Sequence, residues 1–274
     1  MSDTIPFPRH GIAGYYALAD LPQDDIVGQT VGTGWGELDK ILKIYPSQFV
    51  VCTGTAGSGK STFLYNLIVN LCWKYGKKAW LYVPENEKSL FRKMQLLFNN
   101  HTDKFSRFAA SHCFVQSSDY QHYGDEVRDI NWILGHAFEA HKRDGVSLVL
   151  IDPWNELERA KQRDELLTDY IGNCLMRVKM FARQTNCTMF MVAHPTKAAT
   201  GRDVTLWDCE GSMNWMNKCD NGLIVKREEG AKDCTVISQK VREQPWAGRP
   251  GHCIFLVEED TGIFREQIGG GQAL

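Results

Sequence analysis

The stretch VVCTGTAGSGKST, Val50 to Thr62, constrains this chain more than any other. Its spacing Gly54, Gly59, Lys60, Ser61 is G-x-x-x-x-G-K-S, with Gly57 as a third residue free to turn tightly. A chain that wraps a triphosphate must aim successive backbone N–H groups inward, and glycines keep side chains out of the approach. Gly54, Thr55, Ala56, Gly57, Ser58, Gly59, Lys60, Ser61 and Thr62 are therefore the expected nucleotide-binding loop, with ATP as the ligand. Lys60 reaches the β- and γ-phosphates as a point charge, and the Ser61 hydroxyl can ligate Mg²⁺. The flanks agree: Phe49-Val50-Val51 reads as a buried strand, and Phe63, Leu64, Leu67, Ile68 and Leu71 recur at helical spacing.

A strand, a loop and a helix in that order predict an α/β fold, and 274 residues with 43% apolar content suit one large domain with short appendages. No apolar run approaches the ~18 residues of a membrane span, and the start, MSDTIPFPRH, has neither the basic nor the apolar part of a signal peptide. The expected compartment is the cytosol, of a bacterial or phage-infected cell, with no membrane partner. Nine cysteines without a C-x-x-C pair argue against zinc, and Cys52, Cys72, Cys174 and Cys187 lie in apolar runs as reduced core thiols do. The net charge of −2 excludes a globally basic nucleic-acid coat, so any DNA contact must come from local patches.

Residues 1–30, with Pro6, Pro8 and Pro22, read as an irregular arm; 31–267 as the main domain; and 268–274, with Gly269-Gly270-Gly271, as a flexible tail. Within the domain a short helix is expected over Thr33 to Leu42, and the loop helix runs to about Tyr75, stopped by Gly76. A strand over Lys78 to Val83, a helix near Lys88 to Phe98 and a strand near Cys113 to Gln116 follow. A long helix near Asp125 to Lys142 is expected to bury Val127, Ile130, Ile133, Leu134, Ala137 and Phe138. The strand Ser147 to Ile151, a helix over about Arg163 to Gln184 and the strand Thr188 to Ala193 continue an alternation that means parallel pairing with right-handed crossovers. After Asp220-Asn221-Gly222 the pattern becomes strands alone, at Leu223 to Lys226, Thr235 to Lys240, Cys253 to Val257 and Ile263 to Arg265, an antiparallel extension.

In an open parallel sheet, ligands bind outside the carboxyl ends of the strands, and four such ends here carry polar residues. Asp152 follows the apolar run SLVLI, where a carboxylate can hold Mg²⁺ together with Ser61; a helix-capping role before Pro153 is the plainer alternative. Glu85, 25 positions beyond Lys60, can orient or deprotonate the attacking water, with Glu87 as the competing candidate. His194, directly after MFMVA, can hydrogen-bond the γ-phosphate and report its loss to the following loop. Lys240 and Arg242 share one face of their strand; they are either two exposed basic residues or a pair aimed at a neighbour's nucleotide, with Arg242 as an arginine finger.

The blocks TGWGELDKIL, VPENE, LVLIDPWNELE, MVAHP, TLWDCEGSMNWMNKCDNGLIV and the K-x-R pair, together with the P-loop, resemble the motor domain of DnaB-type and Twinkle-like hexameric replicative helicases, in the phage and organellar primase-helicase branch. The resemblance spans about Gly32 to Arg265 and keeps the family order. It implies a RecA-like P-loop NTPase core, a mainly parallel sheet flanked by helices, with nucleotide sites shared between subunits of a hexameric ring. It implies Lys60 and Ser61 on phosphates and metal, Glu85 as the catalytic glutamate, Asp152 on Mg²⁺, His194 as phosphate sensor, and Arg242 with Lys240 acting in trans. Its central-channel loops fall after Asp152 and after His194, where Arg159, Lys161, Arg163, Lys197 and Arg202 supply positive charge for single-stranded DNA. Relatives usually carry a primase, primase-like or loader-binding domain ahead of the motor; about thirty residues stand there in this sequence, so priming is not expected and a separate primase, polymerase or loader is. The expected function is an ATP-driven DNA helicase moving 5′ to 3′. A RecA-like, DNA-stimulated ATPase acting as a mediator without unwinding is the alternative, and a small-molecule kinase lacks an Arg-rich lid insertion to support it.

Overall fold

The computed structural model describes residues 26–99, 101–118, 126–196, 203–211, 213–268 and 272–273. The strands are β1 (Phe49–Thr53), β2 (Ala79–Tyr82), β3 (Cys113–Val115), β4 (Leu148–Ile151), β5 (Thr188–Val192), β6 (Asn221–Lys226), β7 (Asp233–Val241), β8 (Gly251–Val257), β9 (Phe264–Glu266) and β10 (Gln272–Ala273). The helices are α1 (Leu38–Ile41), α2 (Lys60–Tyr75), α3 (Glu87–Leu96), α4 (Thr102–Ser111), α5 (Ile130–Asp144), α6 (Leu167–Thr185) and α7 (Asn214–Lys218). All strands join one sheet in the order β10-β8-β7-β6-β1-β5-β4-β2-β3, with β9 on β8. The run from β6 to β3 pairs parallel, and β7 to β10 add antiparallel strands beyond β6. The expected α/β architecture with an antiparallel extension is the one observed.

Alternation along the strands divides the core in two. Val50 and Cys52 of β1, Leu148 and Leu150 of β4, and Phe190 and Val192 of β5 pack on one face against α1 to α4. Phe49 and Val51, Val149 and Ile151, and Met189 and Met191 pack on the other against α5, α6 and α7. The central strands are buried on both faces, which is why they read as continuous apolar runs. All nine cysteines are free thiols, eight buried and Cys113 half-buried.

Three expectations change. The long helix starts at Ile130 rather than Asp125, because the Asp129 side chain caps it by accepting from the backbone N–H groups of Asn131 and Trp132. Val127, ahead of that cap, is 51% exposed and Phe138 is 42% exposed, so neither belongs to the buried face. An additional helix, α4, occupies the stretch between α3 and β3, burying Phe105 and Phe108. Finally, β6 is not a purely antiparallel strand: it lies parallel to β1 on one side and antiparallel to β7 on the other, so it joins the two parts of the sheet. The β6–β7 register shifts at Gly222/Leu223, where Gly222 faces Lys240 but Leu223 faces Ser238, leaving Gln239 as the extra residue of a β-bulge. Of the expected arm, residues 1–25 lie outside the described residues; of the expected tail, Gln272–Ala273 pair with β8 while 269–271 and 274 lie outside them.

Candidate active site

The P-loop leaves β1 at Gly54 and enters α2 at Lys60. Gly54 has φ 149°, and a Cβ there would stand 2.2 Å from the Val225 carbonyl oxygen of β6, so only glycine lets the loop leave the sheet at that point. Gly59 is left-handed at φ 92° and caps α2, whose first backbone N–H groups open toward the loop. Lys60 is 5% exposed, and its ammonium donates to the Gly54 and Thr55 carbonyls at 3.0 and 2.8 Å. Burial lowers its proton affinity, while the nearby Asp152 and Glu85 carboxylates oppose that fall. Ser58 Oγ, in the same loop, is buried with no hydrogen-bond partner. A cavity of about 600 Å³ lies over the loop, between Thr55, Ala56 and Gly57 and the turn Arg227 to Gly230 that joins β6 to β7.

Asp152 is 2% exposed at the end of β4, its backbone N–H bonded to the Tyr82 carbonyl at 3.0 Å. Its carboxylate accepts from the Ser61 hydroxyl and from Tyr65 Oη, the latter at 3.3 Å. Burial raises its proton affinity; the two hydroxyls and Lys60 pull it back. A buried carboxylate beside a serine hydroxyl, bonded to hydroxyls rather than to a cation, is an oxygen donor set that fits Mg²⁺. Ser58 Oγ and the Lys60 ammonium fit the phosphates of ATP in the same way, as donors held inside the loop.

Glu85 follows β2 and is exposed, with its charge felt at Lys60, Asp152 and His194. The competing Glu87 is engaged elsewhere: its Oε2 accepts from the Ser118 backbone N–H at 2.7 Å and from the Ser118 hydroxyl. His194, half-buried after β5, has its proton affinity lowered by burial and by Lys60. Lys60, Glu85, Asp152 and His194 are thus brought together at one end of the parallel sheet.

Three residues of this end are absent from the sequence-derived set. Tyr65 stands four positions after Ser61 on α2, a spacing that puts both hydroxyls on the same helical face toward Asp152. Asn155 accepts the His194 backbone N–H at 3.3 Å and donates to Glu210 Oε2 at 2.5 Å, while the Glu210 backbone N–H donates to the His194 carbonyl at 3.0 Å. Glu210 Oε1 also meets Arg159 at 3.2 Å. Only pairing of β4 with β5 brings these chain positions together, and no sequence spacing signals it.

The expected DNA-contact residues divide. Arg159 and Arg163 are exposed, and Lys161 donates to the Gln162 and Glu165 carbonyls at 2.9 and 2.6 Å. Lys197 and Arg202 lie outside the described residues.

Lys240 and Arg242 stand at the opposite end of the sheet. Val241 is in register with Asn221, and Asn221 with Val50 at the start of β1, whereas the P-loop follows Thr53 at its end. The five residues of β1, at about 3.3 Å each, separate them by roughly 17 Å. Lys240 Nζ donates to the Met216 and Asn217 carbonyls at 2.6 and 3.3 Å, and burial lowers its proton affinity. Arg242 Nε meets Asp220 Oδ1 at 2.7 Å, and its Nη2 lies 3.5 Å from the Cys219 carbonyl.

Comparisons with known proteins agree with this geometry. The family described as "ATPase: KaiC" matches residues 31–232. The Twinkle homolog protein, chloroplastic/mitochondrial, of Arabidopsis thaliana is 28% identical over 295 residues, covering 96% of this chain and 41% of that protein, so the chain spans about two fifths of the relative's length. A helicase-like ATPase domain of known structure shares the fold with a TM-score of 0.70 at 18% identity, over 86% of this chain and 91% of that one. A DnaB-like replicative helicase, solved with its interactions with primase, shares it with a TM-score of 0.70 at 17% identity, over 85% of this chain and 62% of that one. The resemblance to DnaB-type and Twinkle-like motor domains, drawn from the ordered blocks, is borne out, and so is the RecA-like core.

Proposed function

The chain belongs to the KaiC family of ATPases, and from that premise we propose that it is the motor of a hexameric DNA helicase of the DnaB and Twinkle type, moving 5′ to 3′ on single-stranded DNA. The observation that carries this reading is the split between the two ends of the sheet. Lys60, Glu85, Asp152 and His194 gather at one end, while Lys240 and Arg242 lie roughly 17 Å away, out of reach of their own P-loop and suited to a neighbour's.

In this reading the P-loop N–H groups, Ser58 and Lys60 bind the triphosphate. Ser61 and Asp152 hold Mg²⁺, which neutralises charge between the β- and γ-phosphate oxygens. Glu85 orients the attacking water and accepts its proton, a role open to it because its carboxylate is exposed and Glu87 is bonded to Ser118. His194 donates to the γ-phosphate. Its backbone is tied through Asn155 and Glu210 to Arg159, so loss of the phosphate can shift the loops that grip DNA. Arg159, Lys161, Arg163, Lys197 and Arg202 contact phosphates of the strand, and contacts of that kind do not depend on base sequence. Arg242, with Lys240, neutralises transition-state charge in the neighbouring subunit. We place the ring in the cytosol of a bacterial or phage-infected cell, working with a separate primase, polymerase or loader.

The test is unwinding of forked duplexes by the assembled protein with ATP and Mg²⁺. A duplex with both tails, or with a 5′ tail at the loading strand, should be opened, and one with only a 3′ tail should not. DNA-stimulated hydrolysis with strand exchange and no unwinding would instead make the protein a mediator ATPase.

A further inference from the structure

Arg242 is held by a group of charges that none of the helicase motifs explains. Asp220, just ahead of β6, is 7% exposed at its side chain and receives two cations on the same oxygen: Lys179 of α6 at 2.8 Å and Arg242 Nε at 2.7 Å. Its other oxygen accepts the Phe49 backbone N–H at 3.0 Å. The Asp220 backbone is fixed as well, its N–H on the Phe49 carbonyl at 2.8 Å and its carbonyl on the Arg242 N–H at 3.0 Å. The carboxylate is therefore bolted to the first residue of β1, the strand that ends in the P-loop.

Two physical consequences follow. A one-to-one Asp–Arg pair cancels the charge that an arginine finger must deliver, whereas one carboxylate shared by Lys179 and Arg242 leaves the set of three with a net positive charge. Capture at Nε also fixes the plane of the guanidinium and directs its terminal nitrogens away from Asp220. The Cys219 carbonyl lies 3.5 Å from Nη2, too far for a strong hydrogen bond, and the Arg242 side chain is 43% exposed.

We propose that Asp220 is the positioning residue of the trans-acting arginine, aiming Arg242 at the neighbour's nucleotide while Lys179 offsets the carboxylate's charge. This rests on the trans role of Arg242 proposed above. Asp220 touches no substrate; it acts through Arg242, and so it matters only in the subunit that donates the arginine.

Subunit mixing tests this with the full chain. Lys60→Ala and Arg242→Ala proteins, each inactive alone, should together regain DNA-stimulated ATPase activity, because the second offers its P-loop to the first one's arginine. Asp220→Asn is then added to one partner at a time. In the Lys60→Ala partner, the arginine donor, it should lower the regained turnover by about tenfold with the KM for ATP unchanged; in the Arg242→Ala partner it should change turnover by less than about twofold. Equal losses in both placements make Asp220 merely structural and overturn the proposal, as does no loss in either. No rescue in the parent mixture, with mixed oligomers verified by mass spectrometry, overturns the trans role of Arg242 itself and the proposal with it. If Asp220→Asn chains fail to assemble, Asp220→Glu, which keeps the charge for Lys179 but displaces the oxygens by one methylene, takes its place under the same criteria.

Discussion

Each end of the central sheet buries an aspartate near a lysine, and the two ends treat that pair in opposite ways. At the far end Asp220 is closed on Lys179 and Arg242 at 2.8 and 2.7 Å. At the P-loop end Asp152 is bonded to hydroxyls and Lys60 to carbonyls, so the opposite charges stay apart although both are buried. Burying ions without pairing them costs stability, and the cost appears as a raised proton affinity at Asp152 and a lowered one at Lys60. A closed ion pair holds geometry; an open one waits for ligands of opposite sign, a metal for the carboxylate and a phosphate for the ammonium.

The same distinction sorts the two candidate glutamates, with the largest expected effect. Glu85→Gln should lower ATP turnover by ~10²-fold or more while nucleotide affinity stays near that of the parent, since it removes an interaction needed in the transition state. Glu87→Gln, whose carboxylate is already bonded to Ser118, should change turnover only severalfold. Steady-state kinetics with a fluorescent-nucleotide titration separates the two, and the reverse ranking would mean that bonding state does not identify the working carboxylate.

A matched pair of amide substitutions tests the comparison on stability. Asp220→Asn leaves two cations facing an amide and should cost about 2 kcal/mol, reduced from a fully buried pair because Arg242 is 43% exposed. Asp152→Asn keeps the Ser61 and Tyr65 contacts while removing a buried charge, and should raise the melting temperature of nucleotide-free protein by a few degrees. Urea denaturation and calorimetry read both. Equal signs would break the contrast between the ends.

The smallest effect is a slope. Because burial raises the proton affinity of Asp152, the folded chain keeps a proton there that the unfolded chain releases above the ordinary carboxylate value of 3.8. The stability contributed is present below that value and is lost as pH rises through the raised one, by at most about 1.4 kcal/mol per pH unit. Asp152→Asn should flatten this part of the nucleotide-free stability profile. Mg²⁺ with nucleotide should oppose it, since the metal takes the ionised carboxylate.

The parts of the molecule legible in its sequence are those set by neighbours along the chain. Helix α2 is read to within its two ends because left-handed glycines stand at both, Gly59 and Gly76, and because its apolar residues recur at helical spacing. The strand-end residues follow from the same local logic: an apolar run, then a polar side chain. Helix α4 escapes that logic because it offers only Phe105 and Phe108 to the core. The start of α5 is obscured because apolar periodicity continues through Val127 while the cap lies at Asp129. Nothing along the chain tells that β6 pairs with β1 rather than standing wholly in the extension, or that Asp220 meets Lys179 from 41 positions away. Those contacts are decided by the order of strands in the sheet.

The bulge at Gln239 gives β7 a reading frame, and the basic pair depends on it. Cys234, Val236 and Ser238 are buried in alternation; then the phase changes, so that Val241 is buried while Lys240 and Arg242 are not. Strict alternation carried on from Ser238 would have turned both cations inward. The odd residue resets the count, and its side chain is occupied there, Gln239 Oε1 accepting the Leu206 backbone N–H at 2.9 Å. An unexpected ranking of injuries follows. Deleting Gln239 removes the odd residue and leaves Lys240 and Arg242 on their present side, whereas straightening the strand at its present length moves every later residue to the opposite side. For this strand the more regular form is the more damaging one, since regularity would withdraw the cations from any neighbouring subunit without altering a single side chain.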